Sequence, residues 1–202
     1  MIHEIGEILK GKLSGQSYVE RIAGIVDVAN DVKQTGKGSI IKRFPIACNV
    51  EGIDCNETGF LNDLVPNSSK KSVIFFEDIT GVAKIGQRGV YYNFEARPRL
   101  VAWINKKKLG KTDCSISTII IANIIKLLET IKHENVGYFQ NINVEVVSEV
   151  PRSPAIFNRY TFDNMSQYLM HPYEYFALNL KVNFWMSPDC LDEFIVEPEI
   201  NC

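Results

Sequence analysis

Apolar positions change period several times along the chain, and each change marks a predicted element. Ile2, Ile5, Ile8, Leu9 and Leu13 recur at helical spacing and predict a short helix over 2–13, with Gly11 and Gly15 near its end. Val19, Ile22, Ile25, Val26, Val28 and Val32 are β-branched and predict a long strand over 18–32. A turn at 34–38 leads to a second strand over 40–50, where Pro45 implies an edge or a bulge. The polar stretch 51–72, with Gly52, Gly59 and Pro66, reads as a long loop. A short strand follows over 72–79, then a connection over 80–89 with three glycines.

The clearest alternation comes next. Val90, Tyr92, Phe94, Ala96, Leu100, Ala102 and Ile104 share one face of a predicted strand. Tyr91, Asn93, Glu95, Arg97, Arg99, Val101 and Trp103 share the other. At ~3.3 Å per residue such a strand spans about 50 Å, more than one small sheet needs, so it is expected to project beyond its own domain. Pro98 has no N–H to donate and is expected at a bulge or an edge. After the basic turn 106–111, Asp113 or Ser115 can cap the main helix, expected over about 115–132. Ile116, Ile119, Ile120, Ile124, Leu127, Leu128 and Ile131 form its apolar stripe. A strand over 141–151, an irregular aromatic insert over 152–172 and a long strand over 173–186 complete the order. The expected fold is α+β: a mostly antiparallel sheet of long strands, covered by the main helix and the short N-terminal helix. Residues 1–186 are read as one domain and 187–202 as an acidic tail.

Composition supports a self-sufficient core. The chain has 202 residues, 46% hydrophobic and 23% charged, which excludes disorder and coiled coil. No segment approaches the ~20 apolar residues of a membrane helix, and no secretory leader is read at the N-terminus, so no membrane partner is expected. The net charge of -2 hides an asymmetry: Asp189, Asp192, Glu193, Glu197 and Glu199 crowd the tail, leaving 22 basic against 19 acidic residues elsewhere. A near-neutral body argues against a dedicated nucleic-acid binder. The tail, with Phe194 among its acids, is either a solvated end or an arm that docks on a partner, with Asp189, Asp192, Glu193 and Phe194 as the contact candidates. Five widely spaced cysteines, an odd number without a Cys-x-x-Cys pair, read as reduced thiols of a cytosolic compartment rather than a zinc site or a disulfide scaffold.

Motif chemistry is sparse. Gly36-Lys37-Gly38-Ser39 lacks the spacing of a phosphate-binding loop. His3, His133 and His171 are scattered, and no metal or cofactor is expected. Glu77-Asp78 and Glu95-Ala96-Arg97 on neighbouring strands faintly suggest a metal-dependent nuclease, although Arg97 stands where a lysine is expected. Trp103 and Trp185 both fall on the nominally polar faces of long strands, and exposed tryptophans are frequent interface anchors.

The order of elements resembles that of phage tail terminator and tail-completion proteins, a group similar to neck and head–tail joining proteins. The likeness rests on the long strand running into Leu100-Val101-Ala102-Trp103-Ile104-Asn105, the helix 116–132, the strand 142–150 and the closing strand from Tyr175 to Val182, and covers roughly residues 72–186. The insert at 152–172 and the tail after Met186 depart from the pattern, and the N-terminal hairpin fits it less closely. The resemblance implies a non-enzymatic virion protein, assembled in the host cytoplasm. It implies a homo-oligomeric ring, six- or twelve-fold, that joins the head connector to the tail and meets other neck, connector or tail-tube proteins. DNA would pass through without specific binding. Phe76, Glu95, Arg97, Arg99, Trp103 and Trp185 are the subunit-interface candidates. The alternatives are a small metal-dependent nuclease and a non-viral adaptor or binding module.

Overall fold

A computed structural model describes residues 1–36, 38–47, 60–110, 116–163 and 165–192. The element order is α1 (Ile2–Leu13), β1 (Arg21–Thr35), β2 (Gly38–Ile46), a 3-10 turn (Phe60–Asn62), β3 (Ser72–Arg88), β4 (Tyr91–Asn105), α2 (Ile116–Leu128), β5 (Lys132–Val136), β6 (Phe139–Val150), a second 3-10 turn (Pro154–Phe157), α3 (Met165–Tyr168), β7 (Tyr173–Met186) and α4 (Pro188–Asp192). Seven strands lie in the order β2-β1-β3-β4-β7-β6-β5. Every pairing is antiparallel except β1 with β3. The fold is therefore α+β with a mostly antiparallel sheet, as the alternation implies.

Alternation along β4 and β7 divides the apolar residues between two cores. On one face Phe94, Ala96, Leu100, Ala102 and Ile104 of β4 join Phe176, Leu178, Leu180, Val182 and Phe184 of β7. The helices lie here, contributing Ile5, Leu9 and Leu13 from α1 and Ile120, Ile124 and Leu128 from α2. Helix α1 crosses β1 at backbone contact. A Cβ on Gly6 would sit 2.4 Å from the Ile25 nitrogen, and one on Gly24 would sit 3.1 Å from the Gly6 carbonyl carbon. Only glycine allows this approach, and the ladder between β1 and β3 shifts register at the same place, between Ile22 and Ile25.

The second face carries its own core, which the sequence reading leaves as a polar side. Val73, Phe75, Val101, Trp103, Tyr175 and Ala177 are covered by Ile156, Phe157, Tyr160 and Phe162 of the aromatic insert. The insert is thus the second layer of the domain. Lys70 braces its flank: the buried ammonium donates to the carbonyls of Asn62, Asp63 and Val65, and burial lowers its pKa.

Three boundaries differ from the expected ones. The segment 80–89 is mostly strand: β3 runs unbroken from Ser72 to Arg88, so Gly81 and Gly86 fall within it and Gly89 begins the turn to β4. Gly81 sits at φ +72° inside a bulge, where the register jumps from Asp78↔Pro98 to Val82↔Ala96. Pro98 cannot donate to the ladder, so the opposite strand loops out, which is the irregularity its chemistry requires. Helix α2 ends at Leu128, short of the expected 132, and residues 132–136 form the edge strand β5. All five residues of β5 are polar or partly exposed, so no apolar alternation marks them. The proposed caps Asp113 and Ser115 lie outside the described residues.

Candidate functional site

Long strands give this sheet two unlike halves. The half beneath the insert is dry on both faces. Beyond Pro98 the insert-side face is open, and it presents Tyr91, Asn93, Glu95 and Arg97 from β4 beside Lys181, Asn183 and Trp185 from β7. Alternation puts these residues on one side, and the register Glu95↔Asn183, Asn93↔Trp185 makes them neighbours.

Charge on this face is organised around Glu95. Its Oε1 accepts from Arg97 Nε at 2.6 Å, and its Oε2 lies 3.4 Å from Lys181 Nζ. The hydrogen bond from Arg97 is the main reason its carboxyl sits below the ordinary carboxylate range, with Lys181 adding to it. Glu145 lies opposite Lys181 in the register of β6 and β7. Arg99 is half-buried at the border of the face and donates from Nε to Asn179 Oδ1 at 3.0 Å. Exposed ion pairs of this kind contribute only ~0–1 kcal/mol to folding, so their stronger effect is on which surface can dock here.

At the far end, half-buried Trp185 lines a shallow cleft of about 220 Å³ with Arg88, Tyr91, Gln140 and Asn141. Alternation already places Tyr91 on this face, whereas Arg88, Gln140 and Asn141 escape sequence reasoning because they lie near turns, where it gives no facing signal. Their convergence follows from the register Arg88↔Tyr91 and Gln140↔Trp185.

Two interface candidates are corrected. Phe76 is wholly buried in the helix-side core. Trp103 is 1% exposed; its indole N–H donates to the Tyr168 carbonyl at 2.8 Å, and its ring stacks on Tyr173 at 5.0 Å between centroids. The helix-side core seals Phe76, and the insert covers Trp103 on the face that the alternation alone assigns as polar, so both pack inside the monomer. Glu95, Arg97 and Trp185 share the open face, with Arg99 at its margin.

Carboxylates are not gathered for catalysis among the described residues. Glu77 is fully buried on β3; its Oε1 accepts from the Tyr160 hydroxyl at 2.8 Å, and burial raises its pKa. It belongs to the interior, whereas Glu95 belongs to the outer ion network. No group of three or more His, Cys, Asp or Glu among the described residues is placed to hold a metal ion. A metal-dependent nuclease needs an accessible carboxylate cluster, and Glu77 and Glu95 do not form one among the described residues.

Of the tail candidates, Asp189 is exposed near the start of α4 and accepts from Ser187 Oγ at 3.4 Å. Cys190 packs against the helix-side core, so the tail begins as part of the domain. Asp192 ends α4, and Glu193 and Phe194 lie outside the described residues. No helix among the described residues is long and apolar enough to cross a membrane. The sequence matches no protein-family model, and no curated protein is similar to it at a significant level.

Proposed function

We infer that this chain is a structural subunit of an oligomeric ring in the neck or at the tail end of a tailed phage. The ring would join the head connector to the tail and let DNA pass. The observation that carries this reading is the open half of the sheet. Strands of 15 and 14 residues extend a charged, half-exposed face, ending in Trp185, well past the insert that covers their other half. A face that its own domain leaves half-exposed is available to a neighbouring subunit, and the order of the chain's elements resembles that of the tail terminator group.

A heterologous interface generates a closed ring when its rotation fits, so one projecting face and one receiving surface per subunit suffice. The near-neutral body suits a bore through which DNA slides, because strong phosphate contacts would hold it. The partners are further copies of the chain and the neighbouring neck, connector or tail-tube proteins, and the work is mechanical, without a catalytic step. Electron micrographs of the concentrated protein, alone and mixed with tail tubes, test the reading. Rings with a central opening, free or capping tubes, are expected. Featureless particles that leave tubes uncapped would refute it.

A further inference from the structure

Strand β3 has an open edge. Its partner β1 pairs with it only from Arg21↔Val73 to Val26↔Glu77. Beyond that point β1 leaves the sheet and pairs with β2 alone, from Asp27↔Ile46 to Thr35↔Gly38. Residues 79–88 of β3 thus pair with β4 on one side and with no strand on the other, among the described residues. An open edge leaves backbone N–H and C=O groups unpaired, and the structure that satisfies such a row is another extended strand. Ile79 and Ile85 are exposed on this segment, the latter at 51%.

The departing β1–β2 hairpin is the counterpart. Its base is held, since Thr161 N donates to the Arg43 carbonyl at 2.9 Å and Lys42 Nζ meets Asp163 at 2.6 Å. Its outer part is a two-stranded ribbon, a form only marginally stable alone in water. There Val32, Ile40 and Ile41 are each more than half exposed, and Val32 lies directly opposite Ile41. On the opposite side of the sheet β5 itself is unsuited to pairing: it has five residues, two register shifts, and His133 at φ +56°, which is how edges are blunted.

We propose that the ribbon of one subunit adds to the open β3 edge of the next, with residues 39–42 pairing along the outer part of 79–88, where Ile41 meets Ile85. The occupant is a second copy because, among the described residues, the ribbon is the extended element that leaves the sheet with apolar residues uncovered. The contact joins two different surfaces, so it propagates head to tail, and a rotation that fits closes it into a ring. This rests on the ring reading and gives its interface.

The test places a photo-crosslinking p-benzoylphenylalanine at position 85 of the full chain. Crosslinked peptides are mapped after irradiation, and the native mass of Ile85→Lys and Ile41→Lys is measured in parallel. Both side chains are over half exposed, so circular dichroism should show each variant folded as the unmodified chain is. The expected result is intermolecular crosslinks to residues 38–43 and at least a tenfold rise in the concentration needed for assembly of either variant. If the unmodified chain assembles but position 85 crosslinks to another segment or to its own copy in a neighbour, the ribbon-to-edge pairing is overturned while the ring stands. If the variants assemble as readily as the unmodified chain, the same conclusion follows. A chain that stays monomeric at every concentration, with tail tubes present or absent, overturns both.

Discussion

The hydroxyl of Tyr160 donates to Oε1 of Glu77 across 83 positions of sequence, at 2.8 Å and inside the protein. This bond fastens the aromatic insert to β3 at the last residue that β3 pairs with β1. The other oxygen, Oε2, is buried with no hydrogen-bond partner. Burial is the largest influence on this carboxyl and raises its pKa above the ordinary 4.5, against smaller lowering effects from Tyr160, Arg159 and Arg99. The folded protein therefore holds the proton more tightly than the unfolded chain. Glu77 contributes most to stability below pH 4.5, and that contribution falls as pH rises from 4.5 through the folded pKa. Glu77→Gln cannot ionise. Urea unfolding at several pH values should show the variant gaining on the unmodified protein as pH rises above 4.5, with the difference levelling off beyond the folded pKa. Parallel stability curves would contradict this.

Gly6 and Gly11 lie on one helix with opposite expectations. A methyl group on Gly6 meets backbone nitrogen at 2.4 Å, while one on Gly11 meets nothing within 4 Å. Gly6→Ala should destabilise by about 1–3 kcal/mol through overpacking against β1. Gly11→Ala should stabilise by about 0.5–1 kcal/mol, because alanine restricts the unfolded chain and suits a helix. Thermal or urea unfolding of the pair reads both, and equal effects would refute the close crossing.

The two tryptophans should separate folding from assembly. Trp103→Ala removes a buried, stacked and hydrogen-bonded ring and should cost about 3–5 kcal/mol of monomer stability. Trp185→Ala removes a half-buried ring from the open face, so it should cost the monomer less and weaken self-association more. Unfolding curves and sedimentation of both variants check this. A Trp103 variant as stable as the unmodified protein would show that the insert does not seal that face.

Charge reversal at the sheet border gives an independent check. Arg97→Glu places a second acid beside Glu95, where Arg97 itself is mostly exposed. Monomer stability should change by no more than about 1 kcal/mol. With Arg99→Glu added, self-association should weaken and become strongly salt-dependent. An unchanged oligomer would exclude this half of the sheet from the interface.

Much of this architecture was legible in the alternation itself. Both faces of β4 could be assigned because apolar residues recur at every second position, and β7 matched its expected limits because nothing polar interrupts its inward row. Helix α1 was legible from Ile5, Leu9 and Leu13, but its glycine crossing was not, since close approach depends on a strand met later in the chain. Trp103 misled for a related reason. Its neighbours Glu95, Arg97 and Arg99 are polar, and the aromatic insert that covers it arrives more than fifty residues later. β3 looked broken at Gly81 because a bulge and a turn use the same residue, and only the pairing with Pro98 distinguishes them. The open face of the sheet was partly visible in Glu95, Arg97 and Trp185. The edge of β3 was not visible, because an edge is defined by a strand that departs.

Native mass measured across a wide range of concentration addresses the central claim most directly. A ring subunit should give a discrete species of six or twelve copies that grows with concentration and is depleted by substitutions on the open face and the β3 edge. A chain that remains monomeric throughout, including in the presence of tail tubes, would contradict it.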